Sequence, residues 1–250
     1  MKEVTVTADQ KAVVTFKDLP QMDPVGILLG KVDAETNQNK PQGSATLQGA
    51  QFTVKYYAGL WAPNVDPATL GQMPVRTWVF QTDKDGYTSY AKDYLVSGSE
   101  LYLSSTGYPA FPLGTITIQE TKAPEGYLIN SEVFVRQITS SGSTENVNTY
   151  NRPVVPEKVM KLDLVKRQEK TDIPIPGAKF EHTKPDGTKE ILTTDEAGKL
   201  TLTGVQYGTH RITEIEVMDG YEINGNLIEF HVAQDNKVTL TSKIDITLGM

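Results

Sequence analysis

Cysteine is absent from the 250 residues, so the chain forms no disulfide, thiolate metal site, thiol nucleophile or cysteine-based thioester. Histidine is almost as scarce: His182, His210 and His231 are too few for a multi-histidine metal centre. The glycine-rich phosphate-binding motifs and the Gly-x-Ser-x-Gly motif are also missing. The sequence therefore predicts neither a metal site nor a cofactor, and its reactive groups are amines, carboxyls, amides and hydroxyls.

Positive charge is in short supply as well. The chain has 24 Lys plus Arg against 31 Asp plus Glu, a formal net charge of −7, which argues against a nucleic-acid partner and against attraction to an anionic membrane. No apolar run approaches the roughly 18 residues of a membrane span. The N-terminus lacks the apolar core of a signal peptide. We expect either a cytoplasmic chain or a piece of a longer exported protein, and composition does not choose between them.

Short alternating segments dominate what is present. Thr, Val, Ile and Tyr are abundant, and 20 Gly and 14 Pro supply turns between runs of apolar and polar residues. The clearest runs are Ile27–Val32, Gln51–Tyr57, Thr115–Glu120, Lys161–Lys166 and His210–Ile215. No helix of ten or more residues is evident. This pattern predicts an all-β sandwich.

The sequence repeats itself. Residues 114–120 correspond to residues 208–214 without a gap, and a Gly-Tyr pair follows each segment at the same distance. We predict three regions: residues 1–20, the last strands of a preceding repeat or a complementing strand; residues 21–155, a first domain with a long aromatic-rich insert; and residues 156–250, a smaller second domain that lacks its last acceptor strand. The segment Pro153–Pro156 is predicted to be a stiff linker.

Each repeat places one Lys and one Glu on an apolar strand face. Strand alternation puts Lys31 in phase with Ile27 and Leu29, and Glu120 in phase with two isoleucines. Lys166 and Glu214 hold the equivalent positions. A snorkelling lysine or a plain ion pair would account for one such residue. Two copies in the same phase favour chemistry, because an apolar site favours a nucleophilic neutral amine and a proton-donating carboxylic acid.

That chemistry needs an electrophile, and the first repeat offers Asn151. It is in phase with Val147 and Thr149 and precedes Pro153, which ends strand pairing. Attack by Lys31 on the Asn151 carboxamide would form an amide and release ammonia. Glu120 would hydrogen-bond the carbonyl oxygen and move the protons.

Residues 120–127 read Glu-Thr-Lys-Ala-Pro-Glu-Gly-Tyr, which looks like the E-T-x-A-P-x-G-Y box of a known family. The chain resembles the Cna B-type (SpaA-like) domains of Gram-positive surface adhesins and pilins. The resemblance implies tandem transthyretin-like, Ig-like β-sandwiches, each with a self-formed Lys–Asn or Lys–Asp isopeptide bond. Lys31, Glu120 and Asn151 match the family's three roles, and Lys166 and Glu214 match as a second pair. The second box departs from the pattern because it lacks Ala-Pro.

The second pair has no clear acceptor. Asp245 lies early in its run and is poorly placed. Asp18-Leu-Pro20 parallels Asn151-Arg-Pro153, so Asp18 is predicted to be the acceptor of a preceding repeat. Alternatively, residues 1–20 of one molecule complete the second domain of another by strand addition, and Asp18 meets Lys166 and Glu214 in trans.

Three function classes follow. The preferred one is a structural stalk module of an extracellular, cell-wall-attached adhesin or pilin-like protein, with neighbouring repeats as partners. The second is an adhesin domain that binds host proteins or glycans through the aromatic insert. The third is an accessory sandwich of a secreted carbohydrate-active enzyme. No multi-turnover enzyme is expected, because the cross-link is a single self-modification.

Overall fold

A computed structural model describes residues 22–23, 27–139 and 153–242. Asp18, Asn151 and Asp245 lie outside these ranges. The described chain is built almost entirely of strands, which confirms the all-β prediction. The strands are β1 (Met22–Asp23), β2 (Ile27–Asp33), β3 (Gln51–Tyr57), β4 (Arg76–Gln81), β5 (Tyr87–Ser89), β6 (Leu95–Gly98), β7 (Phe111–Pro112), β8 (Gly114–Lys122), β9 (Tyr127–Leu128), β10 (Val133–Ile138), β11 (Val154–Val159), β12 (Lys161–Val165), β13 (Lys179–Thr183), β14 (Lys189–Thr193), β15 (Lys199–Thr203), β16 (Gly208–Glu216), β17 (Ile228–Val232) and β18 (Val238–Leu240).

Helix is confined to two single turns in the described ranges, the 3-10 helices Pro67–Leu70 and Lys92–Tyr94. The first begins where the Asp66 side chain accepts a hydrogen bond from the backbone NH of Ala68, which satisfies an otherwise free donor. Neither turn has the length or the apolar character to cross a bilayer.

The first sandwich packs two sheets face to face. One has the strand order β10-β8-β3-β4-β6 and the other the order β5-β2-β11-β9. Alternation along β3 buries Phe52, Val54 and Tyr56 between the sheets, where Trp78 of β4 joins them. Burial of these large apolar side chains is the main source of stability for such a sandwich.

The aromatic-rich insert packs largely into this core. Trp78 and Tyr90 are buried and meet edge to face, and the Tyr90 ring stacks on Phe111 at 3.7 Å between centroids. Tyr56 and Tyr57 are buried as well. These four rings therefore serve the interior of the sandwich rather than an exposed surface.

Strand β11 differs from the sequence prediction. It runs parallel to β2, with Val155 opposite Lys31 and Glu157 opposite Asp33, and it pairs antiparallel with β9. The prediction that Pro153–Pro156 forms a stiff linker is therefore wrong, because this segment is part of a sheet of the first sandwich. The predicted limit between residues 155 and 156 falls within this strand.

Over the described residues, the second sandwich repeats the plan with fewer strands. Its larger sheet has the order β14-β13-β16-β17-β18, and β12 pairs with β15 in a two-stranded sheet. Phe180, Ile212 and Phe230 fill the space between them. Within residues 153–242, the only ladder partner of β12 is β15, whereas its counterpart β2 is paired on both sides.

A buried threonine accounts for part of the internal repeat. The Thr82 hydroxyl donates to the Leu47 carbonyl at 2.7 Å and accepts from the Ala50 NH at 3.1 Å. The Thr194 hydroxyl makes the same two bonds in the second copy, to the Ile175 carbonyl and from the Ala178 NH. Each threonine thus closes the Gly-Ala turn that begins the following strand, as buried backbone groups require.

The two sandwiches meet at a joint that involves backbone atoms. The Tyr207 NH donates to the Glu125 carboxylate at 2.9 Å, and the Ser44 NH donates to the Thr203 carbonyl at 3.3 Å. A Cβ added to Gly43 would lie 2.0 Å from the Thr203 carbonyl oxygen, so the loops touch where no side chain intervenes. The tail of the E-T-x-A-P-x-G-Y box therefore contributes to the joint.

Candidate functional site

Lys31 lies at the centre of a buried cluster in the first sandwich. Its side chain on β2 is 0% exposed, and its Nζ donates a hydrogen bond to Oε1 of Glu120 on β8. The same Nζ lies 2.8 Å from Oε1 of Glu157 on β11. The Phe52 ring covers the amine, with its centroid 5.0 Å from Nζ.

The topology explains why these groups meet. Lys31 and Glu157 project from neighbouring parallel strands of one sheet, two residues apart in register, so their side chains share the inner face. Glu120 projects inward from the opposite sheet, in phase with Ile116 and Ile118 as the alternation predicts. The cluster therefore spans the space between the two sheets.

Glu120 is held firmly. Besides the bond from Lys31, its Oε2 accepts a hydrogen bond from the backbone NH of Asn130 at 2.7 Å. Burial raises the pKa of Glu120, while the Lys31 charge and the Asn130 NH oppose that rise. The carboxylate thus has one oxygen fixed by the backbone and the other directed at the amine.

Glu157 is the site residue that sequence reasoning missed. Its side chain is 0% exposed, and neither carboxyl oxygen makes a hydrogen bond of normal geometry within the described residues. Its contact with Lys31 is the 2.8 Å ion pair. Burial, followed by repulsion from Glu120, raises the pKa of Glu157 to about 8 despite the nearby amine. The available signal was its phase, because Val155, Glu157 and Val159 alternate inward.

The charge balance of the cluster follows from this geometry. Two ionised carboxylates beside one ammonium would bury a net negative charge, which costs several kcal/mol. The raised pKa of Glu157 means that this carboxyl keeps its proton at neutral pH. Glu120, with two hydrogen-bond donors, is the better placed to carry the negative charge. The cluster is then neutral as a whole.

The second sandwich reproduces two of the three groups. Lys166 Nζ lies 3.0 Å from Oε2 of Glu214, which also accepts a hydrogen bond from the Asn224 NH at 2.6 Å. Asn224 and Asn130 each follow their Glu by ten residues. The Lys166 side chain is 18% exposed, and within residues 153–242 no second carboxylate forms an ion pair with it. Over the described residues, this site is thus more exposed to solvent than the first and has one acid fewer.

The structure brings together Lys31 with Glu120 and Lys166 with Glu214, as expected from the sequence. Asn151, Asp18 and Asp245 lie outside the described residues, and their roles stay predictions. Over residues 27–139 and 153–242, no three His, Asp or Glu side chains are grouped so that they could hold a metal ion.

A family model described as SpaA, a prealbumin-like fold domain, matches residues 27–153 and again residues 160–245. The chain belongs to this family. The two matched segments follow the two sandwiches, and they account for the internal repeat. No curated protein matches the sequence.

Several solved structures resemble this SpaA-family chain at low identity. The C-terminal fragment of the pilus adhesin SpaC from Lactobacillus rhamnosus GG is 18% identical, with 89% of each chain covered and a TM-score of 0.46. The shaft pilin SpaA from the same organism is 16% identical over 91% of this chain and 100% of its own, with a TM-score of 0.33. The Bacillus anthracis TIE protein is 17% identical over 86% of this chain, with a TM-score of 0.41. The chain spans about a third, 32%, of the TIE protein's length.

Proposed function

We propose that the chain is a structural module of an extracellular, cell-wall-attached pilus or adhesin, hardened by an amide cross-link that Lys31 forms without an enzyme. Family membership supports the module. Neighbouring repeats would be its main partners. Binding of host proteins or glycans stays a prediction, and the buried rings of Tyr56, Tyr57, Trp78 and Tyr90 are not available to such a ligand.

The buried Lys31–Glu120 pair is the observation that carries the cross-link. A lysine with 0% exposure is rare unless it is paired, and here it lies against an acid that can take its proton. A rigid sheet that holds an amine beside an acyl group supplies the effective concentration that amide formation needs. The acceptor predicted from the sequence is Asn151, and its reaction would release ammonia.

The second sandwich would use Lys166 and Glu214 in the same way. Its predicted acceptor is Asp18 of another molecule, in trans, or Asp245; in the other interpretation Asp18 is the acceptor of a preceding repeat and does not serve Lys166. Within residues 153–242 no strand pairs with the edge of β12 that matches the β11-bearing edge of β2, which supports strand addition at this site.

Intact-mass spectrometry tests the cross-link. We expect the measured mass of the purified protein to be lower than the mass calculated from its sequence by at least one ammonia or one water. In Lys31→Arg, the part of this difference that comes from the first domain should disappear. Arg keeps the charge but is not a nucleophile of this kind. Lys84→Arg is the matched control, because the Lys84 side chain is 77% exposed. An unreacted mass for the parent protein would refute the cross-link.

A further inference from the structure

The acceptor of Lys31 is the open question at the buried cluster. We infer that Glu157 is that acceptor, so that the first sandwich is closed by a Lys31–Glu157 amide formed with loss of water. This inference rests on the proposed function, since it requires that Lys31 be cross-linked at all, and it names the partner atom. Asn151 and Glu157 are alternatives, because one amine forms one such amide.

Distance and strand register carry the inference. Lys31 Nζ and Glu157 Oε1 are 2.8 Å apart, and both side chains are 0% exposed. The parallel β2–β11 ladder fixes this contact, since Val155 is directly opposite Lys31 and Glu157 follows it on the same face. The amine thus rests against a carboxyl group without any movement of the backbone.

The two acids differ in a way that separates their roles. Glu120 is anchored by the Asn130 NH and bonded by Lys31, as suits a proton acceptor. Glu157 has no hydrogen bond of normal geometry within the described residues, although it is fully buried. Burying a carboxyl group with so few hydrogen bonds is costly, and the polar group in contact with it is the Lys31 amine. Burial also keeps Glu157 protonated at neutral pH, which makes its carbon a better electrophile.

The reaction balances with the groups in the cluster. The Lys31 ammonium gives a proton to Glu120, which leaves a neutral amine. The amine nitrogen attacks Cδ of protonated Glu157, and a C–N bond forms. Glu120 returns the proton to the departing hydroxyl, the second amine proton is taken up by Glu120, and one water leaves. Carboxylic acid plus amine thus becomes amide plus water, with no oxidant and no external reagent.

The second sandwich serves as an internal comparison. Lys166, Glu214 and the Asn224 NH reproduce Lys31, Glu120 and the Asn130 NH. The described part of the second sandwich has no carboxyl group equivalent to Glu157, because β12 has no parallel neighbour within residues 153–242. The first site thus differs from the second by the group to which we assign the acceptor role.

Glu157→Gln gives a sharp test, because the leaving group changes while the product does not. The parent should lose one water at this site and Glu157→Gln should lose one ammonia, so their final intact masses should coincide. Glu132→Gln is the matched control: Glu132 is exposed, and this variant should differ from the parent by the ordinary Glu-to-Gln mass difference. Peptide mapping of the parent should yield one branched peptide that joins residues 31 and 157. Glu157→Leu should yield no such peptide.

The outcomes separate this inference from the proposed function. A loss of ammonia in the parent with a branched peptide joining residues 31 and 151 would overturn the Glu157 assignment and leave the cross-linked module standing. Final masses of parent and Glu157→Gln that differ by the Glu-to-Gln difference would overturn it too. An intact mass equal to the calculated sequence mass, together with an unmodified peptide that contains Lys31, would overturn both the Glu157 assignment and the proposed cross-link.

Discussion

At the scale of single residues, one amine between two acids defines the first sandwich. The alternation of strand faces was enough to predict that Lys31 and Glu120 point inward. A residue in phase with buried isoleucines and leucines lies on the same face of its strand as they do. Three ionisable groups without solvent are tolerated only when they pair and share protons. The burial that packs Lys31 and Glu120 into the core therefore also makes them exchange protons.

Replacing Glu120 should stop the cross-link without removing either end of it. We expect Glu120→Ala to show no loss of ammonia or water from the first domain in its intact mass, because Lys31 then lacks its proton acceptor. Without the covalent loop, the free energy of unfolding should fall by about 4 to 5 kcal/mol on the loop-entropy estimate used for disulfides. Intact mass and urea unfolding measure both effects. Exposed Glu132→Ala is the control, and a normal mass deficit in Glu120→Ala would contradict the assigned role.

Glu157 shows why part of the site escaped sequence reasoning. The paired prolines Pro153 and Pro156 suggested a linker, since proline lacks the NH that a central strand donates. In the structure, β9 reaches only Lys158 and Val159 of β11, so the side of Pro156 away from β2 has no ladder bond to lose. The strands that flank a proline are determined by the tertiary fold, so they cannot be predicted from the local sequence.

At the scale of elements, the end of β2 is tied down by Asp33. Its Oδ1 accepts from the backbone NH groups of Glu35 and Thr36 and from the Gln42 amide, and its Oδ2 accepts from the Tyr127 hydroxyl at 3.0 Å. Burial raises the pKa of Asp33, but these hydrogen bonds outweigh it, so the pKa lies below its ordinary value. The Tyr of the Gly-Tyr pair thus holds the strand that carries Lys31.

This arrangement predicts a loss of stability in acid. An aspartate whose folded-state pKa is depressed stabilises the fold above its unfolded pKa of about 3.9, and that share is lost as the pH falls through the lower folded pKa. Asp33→Asn should cost about 2 kcal/mol at neutral pH, since bonds to a charged acceptor are lost. Melting temperatures of parent and variant should therefore converge below about pH 4. Exposed Asp93→Asn is the control, and a gap independent of pH would contradict the argument.

Strand positions were predicted well where alternation is regular. Gln51–Tyr57 matches β3 residue for residue, and Ile27–Val32 ends one residue before β2 does. The sequence did not show that β2 and β11 are parallel neighbours, because pairing between the first and last strands depends on how the whole sandwich closes.

At the scale of the whole molecule, contacts between loops set the arrangement of the two sandwiches. Gly43 has a φ of +57° and leaves room for the Thr203 carbonyl, where any Cβ would clash. The Glu125–Tyr207 hydrogen bond fixes the same joint from the E-T-x-A-P-x-G-Y box. Neither contact could be predicted from the internal repeat, because aligning the two copies shows which residues correspond and not which residues touch.

A substitution at Gly43 should open the joint and leave both sandwiches folded. Asn accepts a positive φ more readily than other residues, so Gly43→Asn mainly adds a side chain against Thr203. We expect a larger maximum dimension in small-angle scattering and nearly unchanged melting. Gly71→Asn is the matched control, because Gly71 has a φ of +72° and no atom within 4 Å of its added Cβ. Identical scattering from Gly43→Asn and the parent would show that the contact does not set the arrangement.

The parallel pairing of β2 with β11 has a mechanical consequence. After β1, which pairs with β7, the chain runs into β2, and it leaves the first sandwich at the end of β11, so the start of β2 and the end of β11 lie at opposite ends of one shared ladder. Tension along the chain would load the hydrogen bonds of this ladder together, in shear, instead of breaking them one at a time, and the proposed amide from Lys31 to β11 would prevent the two strands from sliding apart. Since β12 begins two residues after β11 ends, the same load would pass directly into the second sandwich.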